Sequence, residues 1–238
     1  MKTTLLILSL LITTTAFAQF NDTTHYHLAL ASTGSINRTD ANSAYLLNNA
    51  LVFGIKQKNV TLTATNVWVY GAQNSVLTNN DFSSTLYANI NTGVKQLYYW
   101  GLVNYNASYS LKINNQLLAG AGLAYDIIDK ANIRFNLSDG VLYDESSLLT
   151  TLNYNTYRNS LRVQLRFNAM DMVSFESVNF LQSSFNDGND YIIRSNTTLG
   201  LKLRKWISLT TSLAYNKMNI TSTQNLTFTY GLALDEFF

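Results

Sequence analysis

The chain of 238 residues contains no cysteine and no proline. Without cysteine, a disulfide scaffold and a thiolate metal centre are excluded. The lack of proline suits a chain spent mostly in paired strands, where proline removes a ladder donor. Charge is scarce, at 13 % of residues, about half the usual share for soluble domains. The mean hydropathy of −0.01 is too polar for a helical membrane protein, and no segment after the first twenty residues is apolar for the length of a spanning helix. Histidine occurs twice, at His25 and His27.

The first residues read as an export signal. Met1-Lys2 is a short basic start, Leu5 to Ile12 a short apolar core, and Ala16-Phe17-Ala18 a small-x-small cleavage site. This predicts a signal peptide over 1–18, cut before Gln19. Residues 19–238 then form the mature chain. Its net charge is +1, which is no footprint for nucleic acid.

What the mature chain has is alternation. In "SLRVQLRFNA", Leu161, Val163, Leu165 and Phe167 fall on one parity and Arg162, Gln164, Arg166 and Asn168 on the other. Such rows recur from Tyr26 to Leu234 and predict about twelve strands, many of roughly 10–15 residues, longer than usual soluble strands. Connections alternate between short ones, such as "KQKN" and "NAMD", and longer ones, of which Gly140 to Thr156 is the longest. Tight turns on one side and long loops on the other are expected of an antiparallel up-and-down outer-membrane barrel. On that reading both termini and "KQKN" are periplasmic and Gly140 to Thr156 is extracellular, a candidate partner surface or fold-in constriction. The apolar row faces lipid and Arg162 and Arg166 face the lumen, because a lipid-facing arginine costs about 2–4 kcal/mol at the midplane. Tyr45, Trp68, Tyr70, Trp206 and Tyr215 fall near strand ends, where interfacial girdles lie. The closing "TFTYGLALDEFF" is similar to the C-terminal signal read by the barrel-assembly machinery, although Asp235 and Glu236 interrupt it.

Several stretches resemble a bacterial family of unknown function that includes the salt-induced outer membrane proteins. They are "LALASTGSINRTDA", "LLAGAGLAYDI", "YRNSLRVQLRF" and, most fully, "FNDGNDYIIRSNTTLGLKLRKWISLTTSLAYN". The resemblance spans roughly Tyr26 to Leu234 and implies an outer-membrane β-barrel. It carries no catalytic residues.

Few residues suggest chemistry. His25 and His27 share a face but lack further ligands on it, so neither a metal centre nor a serine-hydrolase triad is predicted. "SFNDGND" lacks calcium-loop spacing and reads as an Asn-Asp-Gly turn. Gly120, Gly122 and Gly200 lie on the inward parity, fitting curvature or bulky lumen neighbours. The candidate site is a lumen charge cluster. Pairing Asn168 with Met172 across "NAMD" sets Gln164 opposite Glu176, and Glu176 then bridges Arg162 and Arg166, with Arg134 and Arg194 nearby. Inward cations, Lys202 included, outnumber Glu176 and Asp126. The functional expectation is a structural barrel or passive, weakly anion-favouring pore without cofactor or metal, with outer-membrane lipids around it. The alternatives are an outer-membrane hydrolase centred on His27 and a soluble periplasmic lipocalin-like barrel, which requires a dry apolar interior.

Overall fold

The alternation is realised as a closed sheet. The computed structural model describes residues 25–39, 42–94, 96–149, 153–170 and 172–237. The predicted signal peptide and the terminal Phe238 lie outside the described residues. Twelve strands follow in chain order: β1 (Tyr26–Arg38), β2 (Ser43–Gln57), β3 (Val60–Gln73), β4 (Val76–Asn91), β5 (Leu97–Ser108), β6 (Ile113–Lys130), β7 (Ile133–Leu148), β8 (Asn153–Ala169), β9 (Val173–Ser184), β10 (Tyr191–Arg204), β11 (Ile207–Met218) and β12 (Thr223–Phe237). Each pairs antiparallel with its neighbours in the chain. β1 pairs with β12, from His27↔Phe237 to Gly34↔Tyr230, and closes the barrel. The start of β1 and the end of β12 lie at one end, called here the terminal end; the other is the distal end.

Burial fixes the two faces. Leu161 and Phe167 are exposed, whereas Arg158, Ser160 and Arg162 on the alternate parity are buried. The apolar row therefore faces outward and the arginines face the lumen, as the alternation predicts. The same inversion holds in β1, where Leu28 and Leu30 are exposed, and in β12, where Leu226 to Leu234 are exposed at every second position. Outward aromatics pair across strands in the distal half, with Tyr45–Tyr70, Phe82–Tyr105 and Tyr143–Tyr157 ring centroids 6.1, 6.5 and 5.4 Å apart. Tyr99, Tyr125, Phe167 and Trp206 are exposed toward the terminal end. These are the two interfacial girdles of a membrane barrel.

Loop lengths correct the sequence reading. Distal connections are short: 39–42, 74–75, 109–112, 149–152, 185–190 and 219–222. Long and short do not alternate strictly, since 74–75 is shorter than 92–96 at the terminal end. The predicted loop from Gly140 to Thr156 is mostly ladder: β7 continues to Leu148, β8 begins at Asn153, and Asp144 pairs with Thr156. Above the girdle both faces turn polar (Asp144 and Ser146 inward, Glu145 and Ser147 outward), so the alternation fades while the hydrogen-bonded ladder continues. The β3–β4 turn was hidden for another reason. Asn74 and Ser75 both adopt left-handed φ, 49° and 65°, the conformation of a two-residue hairpin usually marked by Asn-Gly.

Two inward glycines seat a large side chain. A Cβ on Gly122 would lie 2.1 Å from the Asp139 carbonyl oxygen and 2.7 Å from the Trp100 ring, and Gly140 is similarly close to Trp100. Trp100 is thereby buried with Tyr98, Ala124 and Leu142 against one inner wall. Gly122→Val is expected to destabilise the folded barrel by about 1–3 kcal/mol, because overpacking against backbone cannot relax cheaply. Urea titration of the protein in detergent micelles measures this.

Candidate functional site in the barrel lumen

β8 presents three arginines inward at four-residue intervals: Arg158, Arg162 and Arg166. At roughly 3.3 Å per residue they stand about 13 Å apart, so each meets a different level of the lumen. Their partners differ in kind.

Arg158, nearest the distal end, is fully buried. Its Nε donates to Asp144 Oδ2 at 2.6 Å, its Nη2 to Asp190 Oδ2 at 2.8 Å and to the Tyr154 hydroxyl at 2.9 Å, and its Nη1 to the Asp190 carbonyl at 3.2 Å. Four acceptor groups, two of them carboxylates, thus compensate one desolvated guanidinium. Asp190 comes from the loop 185–190. Burial pushes its carboxyl above the ordinary range, and the Arg158 charge draws it part of the way back. The loop is the predicted Asn-Asp-Gly turn, with Asn189 N donating to Asp187 Oδ1 at 2.8 Å. Asp190 is turned inward to the Arg158 guanidinium.

Arg162, one level down, has no carboxylate. It donates to Asn136 Oδ1 at 3.2 Å and the Tyr98 hydroxyl at 3.4 Å, and its guanidinium lies 5.1 Å from the Tyr87 ring centroid. Its Nε is buried without a hydrogen bond. Arg194, reaching from β10, donates to Gln116 Oε1 on β6 at 3.1 Å, and Gln116 in turn donates to both oxygens of Asp144. Among the described residues neither Arg162 nor Arg194 pairs with a carboxylate within salt-bridge distance.

Toward the terminal end, Arg134 holds Asp126 side-on, Nε to Oδ1 at 2.8 Å and Nη2 to Oδ2 at 2.7 Å. Arg166 reaches Glu176 at 3.3 Å, and Gln164 donates to the same Oε1 at 2.6 Å. This corrects the predicted pairing. The hairpin sets Asn168 opposite Ser174 and Arg166 opposite Glu176, two residues from the expected register. The turn is centred one residue later, with Met170 at φ 50° and Met172 N donating to Ala169 O at 3.0 Å. Since the slip is by two, every side chain keeps its face, but Glu176 meets Arg166 and Gln164 instead of bridging Arg162. The five predicted residues all face the lumen, yet they sit in separate groups at different heights.

Sequence reasoning missed Arg158 and its acids. Arg158 shares the parity of Arg162 and Arg166, but Asp144 had been placed in a loop. The extra acids Asp144 and Asp190, with Asp81, narrow the predicted excess of inward cations.

The two lumen ends are unlike. Near the distal mouth, Leu111, Ile113, Leu148, Ile192 and Met218 form a buried apolar cluster. The turn 109–112 is drawn over it. Ser110 N and Oγ donate to Asp81 at 3.0 and 2.7 Å, and β12, on the far wall, donates back through Asn225 Nδ2 to Ser110 Oγ at 3.1 Å. The inward constriction therefore joins the β5–β6 turn to strand residues around it, and the segment from Gly140 to Thr156 contributes Leu148 and Tyr154 to it. At the terminal end a cup of about 920 Å³ opens, lined among others by Lys56, Tyr98, Asp126, Arg134, Arg166 and Glu176. His27 lies at its rim and meets Asp235 of β12, Nε2 to Oδ1 at 2.8 Å.

The two ion pairs that flank Arg162 on β8 are expected to differ sharply in worth. Arg158→Ala leaves two acids buried without their cation and is expected to cost about 3–5 kcal/mol of stability. Arg166→Ala removes a pair that is 42 % and 38 % exposed, worth about 0–1 kcal/mol after solvent screening. Parallel urea titrations of the two variants check the contrast.

Comparison with known proteins agrees with this architecture. The NanC porin, in a rhombohedral crystal form, superposes with a TM-score of 0.55 at 12 % identity, over 89 % of this chain and 99 % of its own. The COG4313 outer membrane channel from Pseudomonas putida F1 gives 0.55 at 8 % identity, over 95 % and 100 %. At such identities the likeness is one of fold. No curated protein sequence matches significantly. The sequence model described as "Protein of unknown function, DUF481" matches residues 21–232, and the chain belongs to that family.

Proposed function

We propose that this protein is an outer-membrane barrel that passes small solutes passively, with a weak preference for anions. The observation that carries the reading is the pair of lumen arginines with neutral partners, Arg162 and Arg194, above a polar cup open at one end. A cation held by amide and phenol groups keeps its full charge to offer a passing anion, whereas Arg134, Arg158 and Arg166 are already countered. The apolar cluster and the turn 109–112 act as the gate on the distal side.

The remaining parts of the reading follow the same frame. Residues 1–18 serve as a cleaved signal peptide, the C-terminal strand is presented to the barrel-assembly machinery, and the termini face the periplasm. Membership of the salt-induced branch of the family rests on the motifs quoted above. We read the chain as non-enzymatic. The hydrolase alternative is not favoured, since the architecture is the one seen in porins and outer-membrane channels. A lipocalin-like carrier needs an apolar interior, and here the apolar face is the outer one.

Planar-bilayer recording tests this. In a salt gradient the reversal potential is expected to indicate anion preference, and Arg162→Ala combined with Arg194→Ala is expected to bring it close to zero. A cation preference in the unmodified protein overturns the reading. Asp81→Ala, which releases Ser108 at the end of β5 and Ser110 of the covering turn, is expected to raise conductance several-fold. Unchanged conductance removes the turn as gate.

A further inference from the structure

The outer face carries a feature that lipid does not explain. On β7 the outward row runs Phe135, Leu137, Asp139, Val141, Tyr143. Asp139 stands midway between the aromatic girdles, four residues from Phe135 and four from Tyr143, and it is exposed. Its recorded partner is Asn159 of β8, whose Nδ2 donates to Oδ1 at 2.7 Å. One hydrogen bond thus serves a carboxylate that can accept about four. The polar surface continues on the outward parity of β9 and β10. Ser195 donates to Asn179 at 2.6 Å, Asn179 donates to Ser177 at 3.1 Å, and Ser177 lies 3.0 Å from Thr197. Asn179 keeps a second N–H. Acyl chains satisfy none of these groups, and side-chain hydrogen bonds between membrane-embedded surfaces are an established source of association.

Asp139 and Asn179 stand at the same depth. A line of paired outward residues climbs from Leu30, near the terminal end of β1, through Leu51, Asn66, Ser84, Tyr105 and Leu117 to Glu145, near the distal end of β7. At a barrel tilt of about 40°, crossing two strands raises the line roughly 6 Å. Asn179 lies two residues below the level of Leu181, which is paired with Leu161 and so level with Asp139, a descent of roughly 5 Å. β7 and β9 flank β8. A two-fold axis along the membrane normal, facing β8, brings β7 of one molecule against β9 of the other at equal height.

We propose that this wall of the barrel docks a second copy of the chain, with each Asp139 accepting from Asn179 of the partner subunit and Leu161 of β8 packing at the axis. The arrangement is self-complementary: a two-fold contact forms the acceptor–donor pair twice and closes without further growth. The proposal rests on the outer-membrane reading above, and the test separates the two.

Because the chain lacks cysteine, a single introduced one reports its own neighbour. Leu161→Cys, reconstituted in phosphatidylcholine vesicles at high lipid excess and oxidised, is expected to give a covalent dimer. Val103→Cys, outward on β5 between the apolar Leu86 and Ala119, is expected to stay monomeric. Adding Asp139→Leu and Asn179→Leu to Leu161→Cys is expected to abolish the cross-link while the barrel remains heat-modifiable on gels. Should that variant fail to fold, stepwise photobleaching of the labelled unmodified protein in bilayers decides: two steps support the dimer, one step overturns it. An inserted but uncross-linked Leu161→Cys, a cross-link that survives the leucine pair, or equal cross-linking at Val103→Cys each overturns the interface alone. Failure to float with the vesicles overturns the membrane reading with it.

Discussion

In hydrocarbon no water is available to a free backbone amide, so a sheet can cross only if it has no edge. The eight residue pairs that join β1 to β12 meet this demand, and the remaining features are arranged around it. Closure makes one face of every strand inner and the other outer. It then reverses the ordinary assignment of polarity, sending leucine out and arginine in. Closing twelve strands also leaves an interior that side chains must fill or water must occupy. This chain does both, at different heights.

The row of arginines on β8 shows how a single residue type is used in three ways as its surroundings change. At Arg158 the desolvation penalty is large, and it is offset only because Asp144, Asp190 and Tyr154 converge on one guanidinium. Such a buried pair contributes little net stability beside an apolar replacement, but it penalises any packing in which its members are separated. The pair also joins β7, β8 and the 185–190 loop. At Arg166 water does most of the compensation and the partner matters little. Arg162 lies between, with the Tyr87 face, the Tyr98 hydroxyl and the Asn136 amide in place of a counter-ion. The electrostatic character of the lumen therefore comes from which arginines lack an acid rather than from how many arginines there are.

Much of this was legible in the residues. Wherever the strands touch lipid the period of two is strong, because one face has a single chemical requirement. Leu161 to Phe167, Leu226 to Leu234 and Gly122 under Trp100 read correctly for that reason. Beyond the girdle the requirement lapses. Glu145, Ser146 and Ser147 look like loop although they are strand, and with them went Asp144, the partner that identifies Arg158. The register of the β8–β9 hairpin was missed by two residues because Met170 is not a residue that announces a left-handed turn. Contacts between distant walls, such as Arg194 with Gln116 or Asn225 with Ser110, join positions 78 and 115 residues apart and have no local signature.

The apolar cluster beneath the β5–β6 turn bears on more than passage of solute. A polar lumen filled with water is an electrical shunt, since continuous water carries ions and protons whatever the wall charges. Five apolar side chains packed together narrow that water column. On the proposed reading the turn in place keeps the current through each barrel small, so a cell that holds many copies would lose little of its gradients through them.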